Sequence, residues 1–130
     1  MKDYIEVQMM KKIQDLMIDI YRTTQRVNSY QHIISKVRKS IKKVSEQVTL
    51  SYQLFLEEER IDCYEQALFN LENISFYTRM LSEHEKIAKK DLNRIKNQAD
   101  FVGGFLTGLS VAEKRKLNNR KVLKLKLGKI

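Results

Sequence analysis

Apolar residues recur along this chain at steps of three and four, the spacing that lays them on one face of an α-helix. Ile5, Met9, Ile13, Leu16 and Ile20 form a first stripe. Ile34, Val37, Ile41, Val44, Val48 and Phe55 form a second, with Ser51 or Tyr52 filling its gap. Tyr64, Ala67 or Leu68, Leu71, Ile74 and Leu81 form a third. Ala88, Leu92, Ile95, Ala99, Val102, Leu106 and Leu109 form a fourth, whose alternating steps of four and three make a heptad seam suited to a bundle. Near the start of each stripe stands a residue able to cap a helix, with Glu or Gln three positions later: Asp3/Glu6, Asn28/Gln31, Asp62/Glu65 and Ser82/Glu85. The pattern predicts helices over 4–25, 30–58, 63–81 and 84–112. Short connections make consecutive helices antiparallel, so the expected fold is all-α: an up-down four-helix bundle over 1–112.

The pattern changes after residue 112. Asn118-Asn119 interrupts helical periodicity, and Val122–Leu127 alternates leucine with lysine. Such alternation suits a strand, but no other strand is predicted to pair with it. Residues 113–130 are therefore expected to form a flexible basic tail.

Composition agrees with long helices. The 130 residues include no proline and only four glycines, too few for the turns of an all-β fold. The single cysteine, Cys63, has no internal disulfide partner, and charge runs through the first twenty residues, so the expectation is a cytoplasmic protein with no signal segment. The longest uncharged stretch, Phe101–Ala112, is too short to span a bilayer.

Charge adds a function class. The net charge is +9, and residues 110–130 hold eight Lys/Arg against the one acid Glu113. Between Arg26 and Lys43 there are six basic residues and no acid, while Glu57–Glu72 holds six acids and one arginine. A chain with separate basic and acidic sides attracts polyanions to the former. The cations singled out for nucleic acid are Lys36, Arg38, Lys39, Lys42 and Lys43 on helix two, and Lys86, Lys89, Lys90, Arg94 and Lys96 on helix four. In the tail they are Lys114, Arg115, Lys116, Arg120, Lys121, Lys124 and Lys126. Lys36, Lys39 and Lys43 share one helix face. A solvated helix face explains such a row as well; the tail, rich in cations and free of sequence code, favours phosphate binding. Attraction to an anionic membrane surface, aided by Leu123, Leu125 and Leu127, is the competing reading.

The segment Ala99–Leu109 places three glycines in a predicted helix, each costing about 1 kcal/mol relative to alanine. Phe101 and Phe105 fall partly outside the core stripe, and Gly104 and Gly108 lie four apart. Phe101, Gly103, Gly104, Phe105 and Gly108 are accordingly expected to contact another subunit; the alternative is that they complete the bundle core. No strand precedes the glycines and no Gly-Lys-Ser/Thr follows, so they are not a phosphate loop.

Catalytic chemistry is sparse. Arg26-x5-His32 and Arg79-x4-His84 match the R-x4-6-H pattern of helical HEPN ribonucleases, but eight arginines give any histidine about a one-in-five chance of such a partner. Two distant histidines and one cysteine make neither a zinc site nor a Cys-His pair. Glu57, Glu58 and Glu59 are consecutive and point in different directions on a helix. Tyr52, Tyr64 and Tyr77 read as core or interface residues. No enzyme activity, cofactor or metal is expected.

Two segments carry a family resemblance over about residues 10–110. Arg94-Ile-Lys-Asn-Gln-Ala-Asp-Phe-Val-Gly-Gly-Phe-Leu106 resembles the Gly-Gly-aromatic-apolar stretch late in helix four of the Avd-like proteins, with Phe105 where tryptophan is usual. Ile74-Ser-Phe-Tyr-Thr-Arg-Met-Leu81 resembles their leucine-rich end of helix three. The family comprises the accessory variability determinants of diversity-generating retroelements and the proteins encoded in 23S rRNA intervening sequences. The chain departs from it in having Arg26-Val-Asn-Ser-Tyr30 where Phe-Pro-Lys is common, and Ala99 where glycine is common. The resemblance implies a non-catalytic homopentamer with a basic surface. It further implies partners: a reverse transcriptase and its template RNA, bound during mutagenic cDNA synthesis.

Overall fold

A computed structural model describes residues 4–128, which form four helices and no strand: α1 (Tyr4–Thr24), α2 (Gln31–Ser51), α3 (Glu57–Glu83) and α4 (Lys89–Gly128). Each helix packs on its sequence neighbours, and α1 also packs on α4, while α1/α3 and α2/α4 stand on the diagonals with their backbones further apart. This is the square of an up-down bundle. The stripes read from sequence meet at its centre: Met9, Ile13, Leu16 and Ile20 from α1, Val37, Ile41, Val44 and Val48 from α2, Tyr64, Ala67, Leu71 and Ile74 from α3, and Ile95, Ala99, Val102 and Leu106 from α4 are all buried. A smaller cluster of Ile34, Leu81 and Ile87 closes one end.

The helix boundaries depart from expectation for identifiable reasons. α2 stops at Ser51, whose hydroxyl donates to the Val48 carbonyl, and Phe55 stands in the following loop with 92% of its surface exposed. α3 starts at Glu57, because Glu57, Glu58 and Glu59 fill its first turn and suit the positive end of the helix dipole. Asp62 and Glu65 therefore lie inside the helix and cap nothing. At α2 the N-cap is Tyr30, in the left-handed region at φ 57°, and Gln31 donates instead to the Val27 carbonyl at 2.7 Å. The pair Asp3/Glu6 lies partly outside the described residues.

Ser82 and Glu85 end a helix rather than begin one. The amide of Lys86 donates to the Leu81 carbonyl at 2.8 Å, and that of Glu85 to the Ser82 carbonyl at 3.0 Å. With Glu85 left-handed at φ 57°, this is a Schellman motif built without its usual glycine. Glu85→Gly is expected to stabilise the fold by about 1 kcal/mol, read from the midpoint of urea unfolding.

The largest departure is the tail. α4 continues without a break through Asn118 and Asn119 to Gly128, so residues 113–128 are helical rather than an irregular arm. No proline or glycine occurs between Leu109 and Leu127, and most residues there are good helix formers, whose propensity outweighs two asparagines. Glu113 is itself buried in the bundle at 8% exposure, one residue past the expected end of the domain.

Candidate nucleic-acid interface

The cations of α2 border two grooves, with Lys39 on the rim of both. Lys36, Lys39 and Lys43 border a groove of about 390 Å³ between α2 and α3, sharing the face expected of them. Arg38, Lys39 and Lys42 border a smaller groove beside α1. Arg38 is committed internally. Its guanidinium donates twice to Thr24 Oγ1, at 2.9 and 3.1 Å, and lies over the Tyr21 ring at 4.6 Å. Lys36 Nζ stands 5.5 Å from the Tyr77 ring centre, whereas Lys39, Lys42 and Lys43 are exposed and have no acid partner among the described residues.

The second basic set is dispersed. Lys86 precedes α4 rather than lying on it, and its Nζ sits 5.3 Å from the Tyr30 ring centre. Arg94 bridges Asp19 at 3.2 Å and Asp91 at 2.9 Å, and Gln98 also donates to Asp19, so this corner joins α4 to α1. Lys89, Lys90 and Lys96 are exposed on α4, with no ion pair among the described residues.

The helical tail corrects the expected separation of charge. α4 runs antiparallel along α3, and its basic end meets the acidic start of that helix. Lys114 pairs with Glu65 at 3.1 Å, and Arg120 with Glu57 at 2.9 Å and Glu58 at 3.8 Å. Arg60 reaches across to Glu113 at 2.8 Å, and Lys116 stands 3.7 Å from the same carboxylate. Three acids of the patch, Glu57, Glu58 and Glu65, thereby meet cations of the basic tail, while Glu59, Asp62 and Glu72 stay exposed. Arg115, Lys121, Lys124 and Lys126 remain exposed, with no acid partner among the described residues. Exposed pairs such as Lys114–Glu65 contribute at most about 1 kcal/mol each; here they place the helix and leave the other cations facing solvent.

The glycine-aromatic segment also divides. Gly103 faces α3: a Cβ there would stand 3.8 Å from Leu71 and 3.9 Å from Leu68. It lines the groove between α3 and α4, apart from the outer face that carries the two phenylalanines. Phe101, Gly104, Phe105 and Gly108 share the outer face, where with Ile5 and Leu109 they line a shallow apolar depression of about 530 Å³. The two phenyl rings lie 5.1 Å apart, and Phe101 is 48% exposed.

The members of the ribonuclease-like pairs are placed by their contacts and exposure. Arg79 lines the α3–α4 groove, while His84 stacks near Tyr30 with ring centres 5.2 Å apart. Arg26 lies in the α1–α2 connection and His32 in the first turn of α2, both exposed. Cys63 is buried, and that burial, with Asp62 and Glu59 nearby, raises its thiol pKa and keeps it protonated. Tyr52 and Tyr64 have raised phenol pKa values, from burial first, consistent with packing roles. Among the described residues no three metal-ligating side chains gather, and no helix is long and apolar enough to cross a membrane.

Sequence reasoning missed most of the α3 wall of the larger groove, formed by Gln66, Phe69, Asn70 and Asn73 beside Tyr77, which reads from sequence as core or interface. Its signal was present. These residues recur at steps of three and four on a polar face beside the core stripe, but a polar helix face is ordinarily read as solvent-facing.

No protein-family model matches the chain, and no curated protein does. The fold is similar to that of a protein of unknown function from the S23 ribosomal protein family of Bacteroides thetaiotaomicron, with a TM-score of 0.71 and 13% identity over 78% of this chain and 97% of that one. At that identity the likeness carries the four-helix architecture alone.

Proposed function

We propose that this chain is a non-catalytic nucleic-acid-binding accessory subunit that partners a retroelement reverse transcriptase and its template RNA. The observation that carries the reading is the set of exposed cations on α2 and α4 left without acid partners, while Glu57, Glu58 and Glu65 of α3 are engaged by other cations of α4. A surface of that kind binds phosphates through many weak contacts and needs no base code. The Avd-like segments supply the partner class, and the S23-family likeness in fold is in keeping with them. The outward face of Phe101, Gly104, Phe105 and Gly108 supports self-association, for which a ring of five is the arrangement proposed.

The test is reconstitution. The chain is mixed with the reverse transcriptase encoded beside its gene and the RNA between them, then passed over a sizing column. A complex containing all three, with intact RNA and cDNA synthesis dependent on the chain, is expected. Failure to bind either component, or cleavage of the RNA by the chain alone, contradicts the reading.

A further inference from the structure

The α2–α3 groove differs from the other basic surfaces in what stands opposite its lysines. Lys36, Lys39 and Lys43 rise in one row from α2, which at 1.5 Å per residue extends about 10 Å along the helix. From α3, Gln66, Phe69 and Asn73 face them. Phe69 is 59% exposed, and its ring has no aromatic or cationic neighbour among the described residues. The side-chain amides of Gln66 and Asn73 likewise make no hydrogen bond within the described chain, whereas Asn70 beside them donates to the Gln66 carbonyl at 2.8 Å. Glu46, the one acid of the groove, lies beyond Lys43 and disfavours phosphate at that end. The groove thus offers a row of cations on one wall, and on the other an open ring flanked by unused donors and acceptors.

We infer that this groove takes a single-stranded segment of nucleic acid, with its phosphates along the α2 lysines and a base stacked on Phe69. The inference rests on the nucleic-acid reading above and specifies which form is bound there. A base laid on an aromatic ring contributes about 1–3 kcal/mol in single-strand binders, irrespective of which base it is. Side-chain amides reach the Watson–Crick edges of bases only where those edges are unpaired. A duplex keeps its bases stacked and paired, so it meets the lysines but offers nothing to Phe69, Gln66 or Asn73. An acidic peptide or lipid surface would also use the lysines but supplies no base to lie on Phe69.

The test compares a short single-stranded RNA with the duplex of the same sequence by fluorescence anisotropy, using the full chain at one fixed salt concentration. Phe69→Ala is expected to weaken single-strand binding about tenfold and to leave duplex binding within about twofold. Phe69→Tyr, which keeps the ring, is expected to retain parent affinity. Phe69 lies on the surface, and circular dichroism checks that each variant is folded. Unchanged single-strand affinity in Phe69→Ala, or equal losses for strand and duplex, overturns the inference while leaving nucleic-acid binding intact. Failure of the parent protein to bind either RNA overturns the function proposed above, and the inference with it.

Discussion

Arg60→Ala is expected to destabilise the bundle by about 2–3 kcal/mol, seen as a lower urea midpoint with an unchanged slope. Arg60 is the joint between three parts of the chain. Its guanidinium donates to the Leu54 carbonyl at 2.9 Å and the Phe55 carbonyl at 2.8 Å, and so fixes the α2–α3 connection. It also donates to Glu113 Oε2 at 2.8 Å, and so ties that connection to α4. The hydrogen bond to Glu113 is the main cause raising the Arg60 pKa, so the guanidinium stays charged. Truncation leaves a nearly buried carboxylate with only Lys116, at 3.7 Å, to compensate. Fully buried pairs lose about 3–5 kcal/mol on such a change. The side chains here retain 20% and 10% exposure, which lowers the expectation. Replacing both partners, Arg60→Met with Glu113→Leu, is expected to cost less than Arg60→Ala alone, since no charge is then stranded. A loss below about 0.5 kcal/mol for Arg60→Ala contradicts this account of the joint.

Replacing Arg115, Lys121, Lys124 and Lys126 together by glutamine is expected to weaken RNA binding about 100-fold at low salt. The same change is expected to reduce the slope of log affinity against log salt by about 3, at about 0.7 per lost phosphate contact on a single strand. Replacing Lys114 and Arg120 instead is expected to change the slope much less, because those cations already face Glu65 and Glu57. The contrast separates cations that hold α4 in place from cations available to a ligand. Deleting 114–130 does not make that separation, because it also removes the half-buried Leu117 and the Arg120 contact. A quadruple variant with the parent slope contradicts the role given to the end of α4.

The core of this fold was legible in the sequence because burial imposes a period. Ile13, Leu16, Val37, Ile41, Ile74, Ile95 and Leu106 fall where three-four spacing puts them. The helix ends were not legible, because no side-chain hydrogen bond caps the start of α2 or α3. A left-handed tyrosine opens α2, three consecutive glutamates open α3, and a Schellman turn with Glu85 in place of glycine closes it. Each was read as a different signal. The tail was misjudged because its Leu-Lys alternation suggests a strand, while helix propensity and the contact of Arg120 with Glu57 favour extending α4. Of the basic residues, the row Lys36, Lys39 and Lys43 could be placed from spacing alone. The internal use of Arg38 and Arg94 could not, since it depends on Thr24, Tyr21 and Asp19 in another helix.

The central claim is that exposed cations of α2 and α4 bind nucleic-acid phosphates. A titration of the parent chain with single-stranded RNAs of unrelated sequence, repeated across a range of salt concentrations, tests it most directly. The account predicts similar affinities for all sequences at each salt concentration, with log affinity falling linearly against log salt at a slope of about −3 or steeper. Absence of binding at low salt, or binding that does not change with salt, would contradict it.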